Sequence, residues 1–224
     1  MTRRPLFLAT LLLTAAGCNS EPAGPPVVSG TFRPVDDGAA VAGFGAFRDS
    51  LLAVVARRDT VALLATVADG ARLSFGDDAG GPAGVRAMWL SGTPPGGVAL
   101  WERLGGLLAA GSVDEDGAVT VPYVFGAWPD SVDAFSHVAV VPAGDAPVEA
   151  RASASDSAAV VALVRDTILP AEGPPAGGFQ AVRLPDGRAA FVPAARAMSP
   201  VGYRATFFPD ETGAWKLQTL VAGD

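Results

Sequence analysis

The residues of this chain best suited to acid-base chemistry lie close together. His137 is the only histidine, and it follows Asp133 and Ser136 at short range. An imidazole beside a carboxylate and a hydroxyl is the combination from which proton transfer and hydroxyl activation are built. A general base must also reach a substrate and be oriented by a partner, and three residues so close in sequence do not meet the geometry of a catalytic triad. We therefore interpret His137 as a partly exposed residue at the rim of a strand and predict no catalytic residue and no enzyme.

Two acidic segments are candidates for metal binding. Asp77 and Asp78 precede a pair of glycines, and residues 114–117 read Asp-Glu-Asp-Gly. One histidine and one cysteine give no Cys/His ligand spacing, and the second segment lacks the longer ligand register of a calcium loop. Asp and Gly are also ordinary turn residues. We predict turns at both places, no metal site and no cofactor.

A different chemistry is indicated at the start of the chain. The only cysteine, Cys18, follows a pair of arginines, an apolar stretch and the small residues Ala-Ala-Gly at positions 15–17. This pattern resembles a lipobox, in which the cysteine is acylated and becomes the new N-terminus. The resemblance implies a signal peptide over residues 1–17 and lipid attachment at Cys18. It also accounts for an odd thiol that would otherwise stay reactive in a secreted protein.

The charge of the mature chain limits its partners. Sixteen Lys and Arg against 23 Asp and Glu give a formal net charge of −7, which becomes −9 when Arg3 and Arg4 leave with the signal peptide. Nucleic-acid binding depends on basic residues that neutralise phosphates, so we predict no nucleic-acid partner. No later apolar run is long enough to span a bilayer, which leaves the lipid as the membrane contact. Asn19 is not the aspartate typical of inner-membrane retention, which favours a periplasm-facing position at the outer membrane, or an extracellular one.

The N-terminal half predicts a mixture of helices and strands. Residues 18–37 are rich in Pro and Gly and have little apolar periodicity, which predicts a flexible tether. Residues 44–57 place apolar side chains at helical spacing, and Asp59 is suited to cap a second helix. An aromatic-rich strand is expected over residues 119–128. We predict an α+β domain over residues 38–141.

The second part, residues 142–224, predicts only strands. Turn signals separate short apolar runs, a spacing typical of a small barrel. A tight turn at residues 185–187 joins two of them, with Val182 and Phe191 facing one core. The expected strands are 148–151, 159–165, 179–184, 189–192, 203–208 and 214–221, the last two forming a C-terminal β-hairpin.

Residues 148–197 carry features of a known domain family. A short strand and a polar stretch open the segment at residues 148–155, residues 179–182 (Phe-Gln-Ala-Val) take the place of a Trp-x-x-Val strand, and residues 186–192 read Asp-Gly-Arg-Ala-Ala-Phe-Val. These residues resemble a bacterial SH3-like domain. The resemblance implies a small SH3-like β-barrel with Phe179 and Phe191 at a peptide-binding groove.

A second resemblance covers residues 44–89. Two helices joined at Arg57-Arg58-Asp59, a strand, and a Gly-Gly-Pro-Ala-Gly segment before another helix are similar to the opening of an NTF2-like (SnoaL-type) cone. Such a cone would also finish on a long strand, here residues 215–220, and would enclose a ligand pocket. Large aromatic residues either fill a core or line such a pocket. The candidates are Trp89, Trp101, Tyr123, Phe125 and Trp128.

Together these features predict a bacterial SH3-like domain-containing lipoprotein of the cell envelope. We expect a non-catalytic, lipid-anchored protein that binds a peptide, a cell-wall-linked peptide or an envelope protein partner, and fold analogy alone suggests that ligand. One alternative is an NTF2-like domain that binds or transforms a small apolar molecule. Another is a purely structural lipoprotein. A closed, aromatic-lined cavity within residues 44–141 would favour the small molecule, and a filled core would not.

Overall fold

The computed structural model describes residues 24–76, 80–142 and 144–223, so Cys18, the signal peptide and the Asp77-Asp78 pair lie outside the described residues. Helices and strands are mixed along the chain, which confirms the α+β prediction. The α-helices are α1 (Phe44–Arg57), α2 (Thr60–Ala65), α3 (Gly81–Val85), α4 (Leu100–Ala109) and α5 (Tyr123–Gly126). The strands are β1 (Val27–Ser29), β2 (Val67–Arg72), β3 (Val113–Glu115), β4 (Ala118–Val121), β5 (His137–Val140), β6 (Val148–Arg151), β7 (Val160–Arg165), β8 (Thr167–Pro170), β9 (Phe179–Arg183), β10 (Ala189–Pro193), β11 (Ala197–Met198), β12 (Arg204–Pro209) and β13 (Trp215–Val221).

The first two helices form where the sequence predicts them. α1 is amphipathic, and its apolar side chains recur at helical spacing on the buried face. It ends at Arg57, and the left-handed backbone of Arg58 (φ 54°) then turns the chain. Asp59 then caps α2, because its Oδ1 accepts a hydrogen bond from the Ala62 N–H at 3.0 Å. The buried residues of α1 are Phe44, Leu51, Val54 and Val55.

The largest correction concerns the C-terminal hairpin of β12 and β13. This hairpin joins the N-terminal half: β12 lies antiparallel to β4, and β13 lies parallel to β2. The resulting sheet has the strand order β2-β13-β12-β4-β3. The prediction that all of residues 142–224 form one β domain is therefore wrong. The physical reason is burial, since Phe207 and Leu217 become solvent-inaccessible by packing in the core that α1 and α4 cover.

The first core lies between this sheet and the helices. Phe44 of α1, Leu104 of α4 and Phe207 of β12 are all fully buried in it. The rings of Phe44 and Phe207 have their centroids 5.7 Å apart. Each such side chain contributes about 1.5–3 kcal/mol by leaving water. Packed side chains thus occupy the interior of the N-terminal half.

The remaining eight strands form a second unit. All of them except β1 lie in the sequence between β4 and β12. Five of them make a sheet of order β1-β7-β6-β10-β9, and three make a sheet of order β11-β5-β8. A single bridge between Ala171 and Val182 links β9 to the end of β8. Residues of both sheets, including Val140, Val164 and Val182, share a second core. The described strands form these separate sheets and no closed barrel, so the small barrel predicted within residues 142–224 is absent from them.

The predicted β9–β10 hairpin is present, but Phe191 lies on its other face. The two strands pair antiparallel, with Val182 opposite Ala190 and Phe191 opposite Ala181. Neighbouring residues on a strand point to opposite faces, so Val182 enters the second core with Ala190, while Phe191 is half-buried on the other side. The prediction that Val182 and Phe191 face one core is therefore wrong. Ala190, one position earlier in β10, takes the place predicted for Phe191.

The tether predicted over residues 18–37 is wrong in its second half. β1 pairs in parallel with β7. Shortly after it, Phe32 stacks on Tyr123 with ring centroids 5.3 Å apart. A short edge strand takes its hydrogen bonds from the neighbouring strand and needs no apolar periodicity of its own. Composition alone therefore did not reveal it.

A helix replaces the second part of the strand expected over residues 119–128. β4 ends at Val121, and α5 follows Pro122 directly. Proline lacks a backbone N–H, so it ends a ladder and fits the start of a helix. α5 buries Tyr123 in a third, smaller core beside Ala139 of β5. This core joins the two units.

Candidate ligand-binding cleft

The five aromatic residues predicted to line one pocket do not come together. Trp89 is buried in the first core, and Trp101 is partly buried against it. Tyr123 is buried in the third core, with Trp128 packed beside it. Phe125 lies beneath an arginine guanidinium. The five residues are therefore divided among three places and do not form the aromatic pocket that the NTF2-like resemblance implies.

Phe32 joins two of these aromatic residues into a packed cluster. Its ring centroid lies 5.3 Å from that of Tyr123 and 5.6 Å from that of Trp128. Trp128 Nε1 donates to the Val132 carbonyl oxygen at 2.9 Å, whereas Tyr123 Oη is buried without a hydrogen-bond partner in the described part of the chain. Burial raises the pKa of Tyr123, and the charge of Asp166 raises it further. The cluster therefore acts as packing that holds the N-terminal segment in place.

The two residues predicted to form an SH3-like groove do share one face of the β9–β10 hairpin. Phe179 stands opposite Pro193, and Phe191 stands opposite Ala181. Phe179 is only 8% exposed, and Phe191 is half-buried. Phe179 consequently offers little surface to a ligand.

The turn before β5 brings Asp133, Ser136 and His137 within hydrogen-bond distance. The Ser136 hydroxyl donates to Asp133 Oδ2, and His137 Nδ1 lies 3.0 Å from Ser136 Oγ and 3.1 Å from the Asp133 carbonyl oxygen. Because the serine proton is directed to the carboxylate, Nδ1 is placed to donate a proton and not to remove one from Ser136. The hydrogen bonds from Ser136 and the Phe135 N–H lower the pKa of Asp133. His137 begins β5, as its predicted place at the rim of a strand requires.

A cleft of about 480 Å³ lies between α4 and the segment that connects β10 with β12. Both of the units described above therefore contribute to it. α4 provides one wall, and the edge strand β11 provides the other. Apolar and polar side chains both line the cleft, and the residues that matter most for its chemistry are Arg103, Gly106, Leu107, Ala197, Met198 and Tyr203.

Arg103 is the distinctive residue of this cleft. Its guanidinium lies over the Tyr203 ring, with Cζ 3.9 Å from the ring centroid, and 5.7 Å from the centroid of Trp89. Nη2 donates to the Pro95 carbonyl oxygen at 3.2 Å, and Nε is buried without a partner in the described residues. Burial lowers the pKa of Arg103, while Tyr203 and Glu102 oppose that shift. A guanidinium nevertheless keeps its proton at ordinary pH.

Arg103 takes part in no ion pair with a carboxylate of the described residues. A partly desolvated cation without a counter-ion is unfavourable. Stacking on Tyr203 offsets part of that cost, and an anion from outside the chain would offset more. The cleft is thus suited to bind and orient an anionic group with an apolar body. The ion pairs that the described residues do form are Arg48–Asp36, Arg151–Glu149, Arg183–Glu172 and Arg188–Asp186.

Sequence reasoning missed this cleft because its two walls are far apart in the chain. The spacing of residues 98–110 indicates an amphipathic helix, but it does not say what lies beside that helix. Residues 194–203 reach α4 because β12 returns to the N-terminal sheet. One sequence feature could have pointed to the cleft. Arg103 is a cation directly before the buried Leu104, within the apolar stripe of the helix.

The described residues contain no group of three or more His, Cys, Asp or Glu side chains placed to hold a metal. The turn predicted within residues 114–117 is present: Asp116 and Gly117 lie between β3 and β4, and the Gly117 N–H donates to Asp114 Oδ1 at 3.0 Å. Within the same described ranges, no helix combines the length and apolar character needed to cross a bilayer. Comparison of the chain with protein-family models, with curated proteins and with solved structures finds no match.

Proposed function

We propose that this chain is a non-catalytic, lipid-anchored protein of the bacterial cell envelope that binds a peptide in the cleft between α4 and β11. The lipobox-like sequence ending at Cys18 supports the anchor, and Asn19 favours a periplasm-facing place at the outer membrane. The peptide is free, linked to the cell wall, or part of an envelope protein. The net charge of −9 after signal-peptide loss argues against nucleic acid as the partner.

The observation that carries this proposal is the half-buried guanidinium of Arg103, which forms no ion pair with any described carboxylate and lies in a cleft with apolar walls. Binding sites combine apolar surface with a few well-placed polar groups that fix the orientation of the ligand. Leu107 and Met198 supply apolar surface here, and Arg103 supplies the charged group. Tyr203 holds that group from one side. This composition suits a short peptide better than a purely apolar molecule.

The SH3-like part of the proposal concerns the second unit. Two features support an SH3-like arrangement of this unit. They are the antiparallel β9–β10 hairpin and the core shared by the unit's two sheets. β11, which lines the cleft, belongs to this unit. The proposed ligand therefore lies where the SH3-like unit meets α4, and not on the face that carries Phe179 and Phe191.

Gly106 offers a way to close the cleft without disturbing the fold. It lies on α4 and lines the cleft, and a Cβ built on it would meet no atom within 4 Å. Gly106→Phe should therefore fill the cleft with a ring while the helix keeps its backbone. The matched control is Ala53→Phe, which places the same ring at an exposed position of α1.

The test uses full-length lipoprotein in detergent micelles and the probe N-acetyl-Ala-Ala-Leu, as the free acid and as the C-terminal amide. We expect calorimetry to detect binding of at least one form to the wild type and to Ala53→Phe. Gly106→Phe should weaken that binding at least tenfold, a difference of about 1.4 kcal/mol. The proposal fails if neither form binds the wild type, or if Gly106→Phe binds as the wild type does.

A second candidate function has one observation in its favour. β13 lies inside the N-terminal sheet, between β2 and β12, as the long last strand of an NTF2-like cone would. The corresponding function is binding or transformation of a small apolar molecule. Saturable binding of N-phenyl-1-naphthylamine that is unchanged by Gly106→Phe would favour it. No binding of either probe would favour a purely structural lipoprotein.

A further inference from the structure

We infer that the cleft recognises the carboxy-terminal carboxylate of its peptide and that Arg103 is the residue that binds this group. The inference rests on the proposed peptide-binding function and names the part of the peptide that the site reads. It follows from two independent features, which are the hydrogen-bonding state of Arg103 and the backbone of β11.

The guanidinium of Arg103 is held in place with donors left over. Its Cζ lies 3.9 Å from the Tyr203 ring centroid, and Nη2 donates to the Pro95 carbonyl oxygen. Among the described residues, Nη1 donates to no oxygen, although the side chain lines the cleft. A planar guanidinium with fixed orientation matches the two oxygens of a carboxylate, because parallel N–H···O bonds form with little further loss of rotamer freedom.

The charges around the cleft favour an anion. Arg103 and Arg196 line it, and Glu102 is the one carboxylate among its described lining residues. Arg196 and Glu102 are both exposed, so water screens them, whereas Arg103 is half-buried. The least screened charge in the cleft is therefore positive, in a chain whose overall charge is negative.

The backbone of β11 points to a peptide as the carrier of the carboxylate. β11 is the edge of its sheet and, among the described strands, pairs with β5 alone, with Ala197 opposite Val140. The Val141 N–H donates to the Arg196 carbonyl oxygen. Along an antiparallel strand, residues alternate between pointing their backbone N–H and carbonyl toward the partner strand and pointing them away. The next residue, Ala197, therefore turns its carbonyl away from β5. The Ala197 N–H is already used within the turn of residues 194–197. No backbone N–H of the described residues donates to the Ala197 carbonyl outside the β5 ladder, so this carbonyl remains as an acceptor for the N–H of an added peptide, as in recognition by strand addition.

The experiment compares three ligands on the full-length protein in detergent micelles. These are N-acetyl-Ala-Ala-Leu as the free acid, the same peptide as the C-terminal amide, and octanoate. We expect the acid to bind the wild type at least about tenfold more tightly than the amide, because a hydrogen bond to a charged group contributes that much or more. Octanoate should bind about two- to tenfold more weakly than the peptide acid, because it has no N–H for the Ala197 carbonyl.

Variants then assign the effect to Arg103. Arg103→Met keeps an apolar stem against Tyr203 and removes the charge, so the acid and the amide should bind it equally. Arg103→Lys keeps the charge and loses the planar fork, so part of the preference should remain. Arg57→Met makes the same change at an exposed site on α1 and should keep the full preference. Thermal unfolding of each variant checks that it is folded.

The outcomes separate this inference from the proposed function. If the acid and the amide bind the wild type equally and Gly106→Phe blocks both, the cleft binds peptides but does not read the carboxylate, and the inference is overturned. Octanoate binding as tightly as the peptide acid overturns the peptide as the carrier. If neither peptide binds, the proposed function itself falls. The comparison of acid and amide needs only the wild type, so an unfolded Arg103→Met protein would not leave the inference undecided.

Discussion

The ring of Phe44 at the start of α1 meets the indole of Trp215 at the start of β13 edge-on, with centroids 5.0 Å apart and planes at 67°. The Trp215 Nε1 also donates to the carbonyl oxygen of Ala42 at 3.4 Å, across 173 residues of sequence. Edge-to-face packing of this kind adds about 0.5–1.5 kcal/mol beyond burial. The first helix and the last strand therefore belong to one folding unit, although most of the chain lies between them.

The first prediction tests this unit with two neighbouring phenylalanines of β12. Phe207 is fully buried on the face of the sheet that packs against α1, and Phe208 is 44% exposed. Phe207→Ala should lower the free energy of unfolding by about 3–5 kcal/mol, and Phe208→Ala by less than about 1 kcal/mol. Chemical denaturation, monitored by circular dichroism, measures both changes in the free energy of unfolding. If the helices stay folded in Phe207→Ala while only the hairpin unfolds, the two are not one unit.

The second prediction concerns the faces of the β9–β10 hairpin. Leu184 is 2% exposed in the second core, whereas Phe191 is half-buried on the opposite face. Leu184→Ala should therefore cost about 2–5 kcal/mol and Phe191→Ala only about 1 kcal/mol. Urea denaturation of the two variants gives the comparison. A larger loss for Phe191→Ala would place that ring in the core after all.

Local signals in the sequence were sufficient for local structure. The apolar spacing of residues 44–57 and the carboxylate of Asp59 specify α1 and the cap of α2, and the turn at residues 185–187 specifies the hairpin around it. These features depend on residues a few positions apart. The same signals did not fix which face of β10 is buried, because Ala190 and Val192 are smaller than Phe191, and the sequence favoured the larger residue as core.

Distant pairing was beyond the reach of local patterns in the sequence. β13 lies beside β2, with Leu217 opposite Val67, and nothing in either segment specifies the other. The cleft depends on that pairing, since the return of β12 and β13 brings Tyr203 over Arg103. The candidate site was therefore missed, even though the spacing of residues 98–110 by itself indicates the helix that carries Arg103.

The third prediction concerns the anchor. Acylation of Cys18, with cleavage of the chain directly before it, would hold the protein in the membrane fraction. Cys18→Ala should move it to the soluble fraction or leave it uncleaved, because no thiol remains to accept the lipid. Fractionation and the intact mass of the mature protein measure this, and Ser20→Ala, close to the same site, is the control. Unchanged fractionation of Cys18→Ala, with a wild-type mass that lacks acyl chains, would contradict the anchor.

The last prediction concerns a polar link between the N-terminal segment and the first unit. Asp36 Oδ1 accepts hydrogen bonds from Arg48 Nη1 at 2.5 Å and from the Ser112 hydroxyl at 2.6 Å. Ser112 Oγ in turn accepts from the Gly38 N–H at 3.1 Å. Burial raises the pKa of Asp36, but the two hydrogen bonds and the charge of Arg48 outweigh it, so the pKa lies below its ordinary value.

A carboxyl group whose pKa is lowered by folding stabilises the protein where it is ionised in both states. The contribution of Asp36 should be complete above its unfolded pKa of about 3.9 and should be lost as the pH falls through the lower, folded value. The difference in unfolding free energy between the wild type and Asp36→Asn should accordingly be constant from pH 7 to pH 5 and shrink below pH 4. Denaturation at each pH measures it, with Asp130→Asn at an exposed position as the control. A difference that grows as the pH falls would show that ionised Asp36 destabilises the fold, which the geometry around Arg48 and Ser112 does not allow.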